Sequence, residues 1–246
     1  MIPYERQQKI LDLLEDQELM KIEDLLSSFP SVSESTLRRD LKELEKKQKI
    51  ELLTGGAFKK ASPAGQDIPI ARRHTLNIEM KEKIAQRAAE LVENGDTIYL
   101  DSGSTCFELF QKICQKDITV YTSNTDILSM HDNFKAEVIV LPGRFNPNNS
   151  SLSGSMTESM LKNLYFGKSF LGMNGIDERF GLTTPTMEEA NKKKLVRDHS
   201  SQCYVLCDSS KFHKLTSVKV FDLKDITIVS DKSDETIGNR VPILTE

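Results

Sequence analysis

The 246 residues carry 33 Lys and Arg against 37 Asp and Glu, a formal net charge of -4, which excludes a protein that coats nucleic acid indiscriminately but leaves room for a local basic face. That length accommodates a small domain of about 60 residues beside a larger one, or a single large α/β domain, and two domains are the favoured reading. No stretch approaches the roughly 18 apolar residues of a membrane span, and the opening MIPYERQQKI lacks the apolar core of a signal peptide, so a soluble cytoplasmic chain with no membrane partner is expected.

Tyr4 to Glu15 carries Ile10, Leu13 and Leu14 at helical spacing, and Ile22, Leu25, Leu26 and Phe29 repeat the pattern in a second short helix. Pro30 ends that helix, and only Ser31 and Val32 separate it from a third, the tight connection a helix-turn-helix requires. The third helix lies in VSESTLRRDLKEL and begins near Glu34, because Ser33 is a good N-cap and Val32 can staple the first turn. At about 100° per residue, Leu37, Leu41 and Leu44 form one apolar stripe, while Ser35, Arg39, Lys42 and Lys46 cluster on the opposite side with Arg38 on the flank. From Arg38 to Lys49 there are six Lys or Arg against three acidic residues, although residues 1 to 60 together hold eleven basic and twelve acidic side chains. The basic charge is therefore local, as on a DNA-recognition helix; an ordinary three-helix bundle with a solvated charged face would carry the same pattern. In Ile50 to Lys60 two short strand-like runs flank Gly55 and Gly56, which predicts a hairpin wing.

SESTLRRDLKELE followed by TGGA resembles the winged helix-turn-helix of DeoR-type bacterial repressors. The resemblance implies that the second helix of the motif enters the major groove of double-stranded operator DNA, with Ser35, Thr36, Arg38 and Arg39 at bases or phosphates and Lys42 and Lys46 along the same exposed face. The wing of that family commonly carries an Arg and a His before its glycine pair, where this chain has Glu51 or Leu52 and Thr54. Reading a two-fold operator takes two such helices, so a homodimer or homotetramer is expected, with the larger domain as the interface.

Ala61 to Ile70 is aperiodic and contains Pro, Gly and Ala, so it reads as a hinge; the expected organisation is a DNA-binding domain over 1–60, a linker over 61–80 and an α/β domain over 81–246. From Lys81 the pattern alternates: KEKIAQRAAELVEN is helical, TIYLD strand-like, CFELFQKICQ helical, ITVYT strand-like, and EVIVLPG strand-like after a short helix. Further strands are predicted at Lys168 to Met173, Gln202 to Cys207 and Ile226 to Val229, with a helix through Met187 to Ser201, which together make a parallel α/β sheet. Such sheets bind ligands at the carboxyl ends of their strands. Asp101, Ser102, Gly103, Ser104 and Thr105 stand at one such end, between a strand and a helix, where backbone amides and hydroxyls can cradle a phosphate; a plain strand-to-helix turn is the alternative. GxxxxGK[ST] and GxGxxG are both absent, so neither a nucleoside triphosphate nor NAD is indicated. The Asn- and Ser-rich run from Asn146 to Ser155 reads as a flexible loop.

With Thr122-Ser123-Asn124, Gly172 to Asp177, Gly181 to Pro185 and Asp208 to Lys211, the resemblance to DeoR-type repressors extends over almost the whole chain. It implies a Rossmann-like sensor domain similar in fold to phosphosugar isomerases, and release of DNA on binding a phosphorylated sugar or related effector. On that footing Ser102 to Thr105 would hold the phosphate, Lys211 would add a compact positive charge, and Asn124, Asn174 and Asp177 would read hydroxyls, with Asp101, Ser123 and Gly175 counted in the same site. The rival is a phosphosugar isomerase with an accessory N-terminal domain, which needs a carboxylate base; Asp101, Asp177 and Asp208 are the candidates by position. No segment resembles the acid-base motifs of those isomerases, so no catalytic residue and no cofactor is expected. Cys106, Cys114, Cys203 and Cys207 lack CxxC spacing and have no His close in sequence, so they read as structural and no metal site is predicted.

Overall fold

The computed structural model of the chain describes residues 2–17, 19–47, 49–53, 55–60, 68–130 and 134–245. Helix α1 (Pro3–Asp16), the two-residue strand β1 (Met20–Lys21), α2 (Ile22–Ser28), α3 (Glu34–Lys46), β2 (Ile50–Leu52) and β3 (Ala57–Lys60) form the first unit, Met1–Gln66. Its core is the set of apolar stripes read from the sequence: Ile10 and Leu14 from α1, Leu25 from α2, Leu37, Leu41 and Leu44 from α3, closed by Ile50 and Phe58 of the hairpin. Each of these side chains, once fully buried, contributes about 1.5–3 kcal/mol relative to remaining exposed. The side-chain oxygen of Ser33 accepts from Thr36 N at 3.3 Å, so α3 starts where its N-cap dictates.

The wing is an antiparallel hairpin in which Glu51 stands opposite Lys59, with Gly55 at φ 84° and Gly56 at φ 77° in its turn. Thr54 lies outside the described residues. One strand was not legible in the sequence: β1 pairs with β3, so the wing is a three-stranded sheet in the order β1-β3-β2.

The second unit, Asp67–Glu246, begins its described part with α4 (Ile70–Thr75) and α5 (Ile78–Ala89). Of the expected hinge, 61–67 lie outside the described residues, while Ile70 already opens a helix. Then follow β4 (Thr97–Leu100), α6 (Ser104–Ile113), β5 (Thr119–Thr122), a 3-10 turn at Asp126–Ser129, β6 (Glu137–Val140), β7 (Arg144–Asn146), β8 (Ser151–Ser153), α7 (Ser155–Leu161), β9 (Phe166–Gly172), β10 (Gly175–Asp177), β11 (Gly181–Thr184), α8 (Met187–Asp198), β12 (Ser200–Leu206), a second 3-10 turn at Ser209–Lys211, β13 (Val218–Phe221), β14 (Thr227–Val229), α9 (Glu235–Gly238) and β15 (Ile243–Leu244).

Seven of these strands make one parallel sheet in the order β15-β14-β12-β9-β4-β5-β6. Its strands are apolar along their length because both faces are covered: Ile84, Ala88, Leu109 and Phe110 of α5 and α6 belong to one apolar layer, Leu161, Ala190 and Val196 of α7 and α8 to the other. Two antiparallel additions complete the unit, a sheet β10-β11-β13 and the hairpin β7-β8. The Asn146 to Ser155 run is thus not the flexible loop its composition suggests: Ser151 and Ser153 are buried on β8, and Ser151 bridges to Asn124.

The strand order contains a switch point of the kind at which such sheets bind ligands. From β4 the chain steps through β5 to β6 at one edge, then returns to the other side of β4 as β9 and continues through β12 and β14 to β15. The direction of winding reverses between β4 and β9, and a crevice opens at the carboxyl ends of strands at such a switch point. Asp101 to Thr105 follow β4, and Met173 to Asp177 follow β9.

Candidate nucleic-acid interface and effector site

On α3 the apolar stripe is buried, while Ser35, Arg38, Arg39, Lys42 and Lys46 are exposed and Thr36 is half-buried. The hydroxyls of Ser35 and Thr36 gather around the cap, lying 3.1 and 2.8 Å from Ser33 Oγ. The guanidinium of Arg38 pairs with Glu34 one turn earlier, Nη2 to Oε1 at 2.6 Å, an exposed pair of the kind worth ~0.5 kcal/mol or less and therefore readily exchanged for a phosphate. On the wing, Lys59 Nζ bonds Glu51 Oε2 at 2.8 Å, so that cationic charge is already matched within the hairpin.

The orientation of α3 depends on groups that periodicity does not reveal. Asp40 lies on the packing face, 1% exposed, and takes both Nε and Nη2 of Arg6 from α1. Beside it Gln7 Nε2 donates to Glu43 at 2.7 Å and Lys47 Nζ donates to Gln7 Oε1 at 2.9 Å. In the sequence Asp40 is simply one of the acids interrupting a basic run.

At the end of β4, Asp101 is fully buried, and Ser102 and Ser104 nearly so. Gly103 is the N-cap of α6 with φ 113°, a conformation that only glycine adopts readily. The first amides of α6 have no partner within the helix, since its first bond runs from Phe107 N to Gly103 O at 3.0 Å, and Thr105 beside them is half-buried; a helix N-terminus of this kind favours an anion. Asn124, at the end of β5, donates through Nδ2 to Gly103 O at 3.4 Å and accepts at Oδ1 from Asp126 N at 3.0 Å. Ser123 is fully buried, 3.0 Å from both the Tyr99 hydroxyl and Lys192 Nζ.

After β9, Asn174 Oδ1 accepts from Thr184 at 3.1 Å, and Gly175 lies where a Cβ would stand 2.4 Å from Lys214 O. Asp177 Oδ1 accepts from the amides of Arg179 and Phe180, both at 2.9 Å, and so shapes the β10-β11 turn. Lys211 sits half-buried on the 3-10 turn after β12, two strands from β4, a separation of about 10 Å. Asp208 holds that turn by accepting from Ser210 N at 3.1 Å.

Sequence reasoning missed the most charged part of this region. Lys192 and Lys193 of α8 are 1% and 4% exposed, and with Asp101 and Glu189 they make a buried set of two cations and two anions. Asp101 Oδ2 receives Lys193 Nζ and also the Gly172 amide at 3.3 Å, so its carboxylate is turned into the protein. Burial alone would raise the Glu189 carboxyl, but the charges of Lys192 and Lys193 and the bonds from Lys192 and Ser151 outweigh it and bring it down to about 2. For Lys193, burial works against the charged form, yet Asp101 and Glu189 hold its ammonium above the usual lysine range. A run of three lysines reads as a solvated helix face; the signal that was present is the spacing of Glu189 to Lys192 and Lys193, three and four residues on.

With this geometry in hand, the comparisons are direct. Residues 6–61 match the DeoR-like helix-turn-helix domain and residues 76–232 the DeoR C terminal sensor domain. The chain belongs to the DeoR family of DNA-binding transcriptional regulators. It is 32% identical to the HTH-type transcriptional regulator FruR of Bacillus subtilis, covering 96% of this chain and 93% of that one, and 31% identical to the regulator GlpR of Haloferax volcanii, covering 93% and 89%. The lactose phosphotransferase system repressor of Staphylococcus epidermidis is 30% identical over the full length of both chains. Among solved structures, ribose 5-phosphate isomerase A of Methanocaldococcus jannaschii aligns over 55% of each chain with 17% identity and a TM-score of 0.41, too remote to carry an argument about chemistry. Among the described residues, no helix is long and apolar enough to cross a membrane.

Proposed function

We propose that this regulator is a cytoplasmic repressor of sugar-metabolism genes that holds operator DNA through α3 and releases it when a phosphorylated sugar or related metabolite occupies the strand ends of β4, β9 and β12. The observation that carries the reading is the N-terminus of α6, with Ser102 to Thr105, at the point where the sheet reverses its winding. The phosphate takes the amides and hydroxyls of that loop; Lys211 supplies charge from across the crevice; Asn124 and Asn174 present carboxamides to hydroxyls. On the DNA side Arg39, Lys42 and Lys46 offer donors directly, and Arg38 does so after exchanging Glu34. Residues 1–60 serve as the DNA-binding domain and the second unit, from Asp67 on, as the sensor, in a dimer or tetramer that presents two recognition helices. The relatives named for lactose transport and for repression support the sugar reading.

We read the same site as one that binds its ligand without isomerising it. Of the three carboxylates that stand in position for a base, Asp101 is fully buried and held by Lys193 and the Gly172 amide, while Asp177 and Asp208 accept turn amides at Oδ1. A sensor must also leave its metabolite intact.

The test is a thermal-shift panel of sugar and polyol phosphates beside their unphosphorylated parents, followed by operator-release titration with every hit. A phosphorylated compound present at 100 times its Kd should stabilise the sensor by about 2.7 kcal/mol and weaken operator binding. Thr105→Val should remove the response and leave operator binding intact; binding confined to unphosphorylated sugars would place the sensor site elsewhere.

A further inference from the structure

We infer that α4 reports the state of the effector site to the DNA-binding unit, and that His74 and Asp126 are the positioning pair through which it does so; this rests on the effector reading above. Helix α4 is the first described helix beyond the segment that links the two units in sequence, and its side chains reach the loops to which that reading assigns ligand contacts.

One path starts at the end of α4. His74 Nε2 lies 2.9 Å from Asp126 Oδ2, Asp126 N donates to Asn124 Oδ1 at 3.0 Å, and Asn124 Nδ2 donates to Gly103 O at 3.4 Å. Three hydrogen bonds thus connect α4 to the N-cap of α6, the point proposed for the phosphate. The His74 ring also meets the edge of Phe107, in the first turn of α6, with centroids 5.3 Å apart and planes at 83°. Both members of the pair are partly shielded, at 28% and 19% side-chain exposure.

A second path runs from Asn77, the second of the two residues between α4 and α5. Asn77 adopts φ 53°, a left-handed conformation that sets the sharp change of direction there, and its Nδ2 donates to Asp208 Oδ1 at 3.3 Å. Asp208 in turn holds the turn that carries Lys211. A third contact anchors the start of the helix, where Ile70 N donates to Asn148 O at 2.7 Å, in the β7-β8 hairpin whose Ser151 bridges to Asn124. Lys81 caps the helix from α5, its ammonium donating to the carbonyls of Arg73 and Leu76.

Helix α4 is therefore linked through Asp126 and Asn124 to the loop proposed for the phosphate, through Asn77 just beyond its end to the turn carrying the countercharge, and directly to the hairpin beside them. A ligand that shifts the first two relative to each other must carry α4 with it or break one of these bonds. Either outcome gives the liganded and free states different free energies at α4, which is what coupling between two sites requires.

The experiment uses the full chain, a duplex selected in vitro by the wild-type protein, and a panel of hexose, pentose and polyol monophosphates with inorganic phosphate as probes. The variants are His74→Phe, which keeps the ring against Phe107 and loses the bond to Asp126, Asp126→Ala, and Asp126→Asn, which keeps an acceptor for the imidazole. In the wild type a binding probe should weaken operator affinity by a factor in the ordinary range of about 5 to 150. His74→Phe and Asp126→Ala should keep the probe's thermal shift and hold the duplex as the wild type does without probe, yet lose most of that factor. Asp126→Asn should restore it. By reciprocity, the duplex should stop altering the affinity of the first two variants for the probe. If both bind the probe and still release the duplex as the wild type does, α4 is not the reporter, although the effector site stands. Loss of probe binding itself would make the pair part of the site and overturn the coupling role. If no probe shifts the wild type, the effector reading fails and this inference falls with it. Should Asp126→Ala not fold, the contrast between His74→Phe and Asp126→Asn decides.

Discussion

Arg6 of α1 closes on Asp40 of α3 with the Nε–Nη2 edge of its guanidinium, Nη2 to Oδ1 at 3.1 Å and Nε to Oδ2, and the two side chains are 7% and 2% exposed. The helix that offers donors to DNA is thus fixed from behind by a charge pair. Removing Arg6 takes the guanidinium away from the buried Asp40 carboxylate, a change of the kind that costs about 3–5 kcal/mol.

Arg6→Ala and Asp40→Ala are therefore each expected to lower the melting transition of the first unit sharply while leaving that of the second in place. Replacing both by apolar residues of similar size should recover much of the loss, because an apolar pair leaves no charge stranded. Melts of the two single variants and of Arg6→Met/Asp40→Leu decide it; single variants that melt like the wild type would show that the pair carries no weight.

Arg39→Ala, on the exposed face of α3, is expected to weaken operator binding by about 1–3 kcal/mol where the side chain pairs with a guanine, and to leave the melt unchanged. A phosphate contact would instead weaken all sequences alike and reduce the salt dependence. Gel-shift titrations at two salt concentrations, on the operator and on a scrambled duplex, separate the two roles.

Lys193→Ala withdraws the closest cation from Asp101 and leaves Lys192 Nζ at 3.7 Å as the remaining countercharge. The second unit should lose about 3 kcal/mol of stability, with the first unit's transition unmoved. A denaturant titration followed separately for the two units measures it, and a loss below about 1 kcal/mol would mean that Lys192 takes over the whole task.

Acid should act on the same cluster. The Glu189 carboxyl titrates at about 2 in the folded chain, below the value of about 4.3 for an unstructured glutamate. The unfolded state therefore takes up its proton first, so the stabilisation is complete above pH of about 4.5 and is lost as pH falls toward 2. Glu189→Gln should be less stable than the wild type at pH 6, and the gap should narrow progressively through this acid window. Parallel thermal melts check this; a gap that does not change with pH would assign the effect to packing.

How far the sequence discloses this arrangement depends on the kind of interaction. Helix α3 is legible because its stripe of Leu37, Leu41 and Leu44 and its Ser33 cap are both local, and the turn from β4 into α6 is legible because TIYLD is apolar throughout and a Ser/Thr-rich turn follows. Strand β1 is two residues long and exists only because β3 lies beside it. The β10-β11-β13 sheet is assembled from segments in which Gly175, Asp177 and Gly181 break any alternation. Lys192 and Lys193 look like solvent-facing charges until Asp101 is brought to them from 92 residues away. Periodicity reports which face of an element is buried, but it does not report which opposite charge will be waiting there.

The adjacency of β4 and β9 also sets an order of events during synthesis. The ladder that joins them, with Ile98 opposite Lys168 and Leu100 opposite Phe170, cannot form until the later strand has left the ribosome, and α8 follows later still. The α3 unit, in contrast, has all its pairings within the first 66 residues. At the usual 5–20 residues per second, on the order of ten seconds or more separates a nascent chain whose first unit can fold from one whose second can. Each newly made molecule thus passes through an interval in which its helix-turn-helix unit has every strand it needs and its sensor sheet does not.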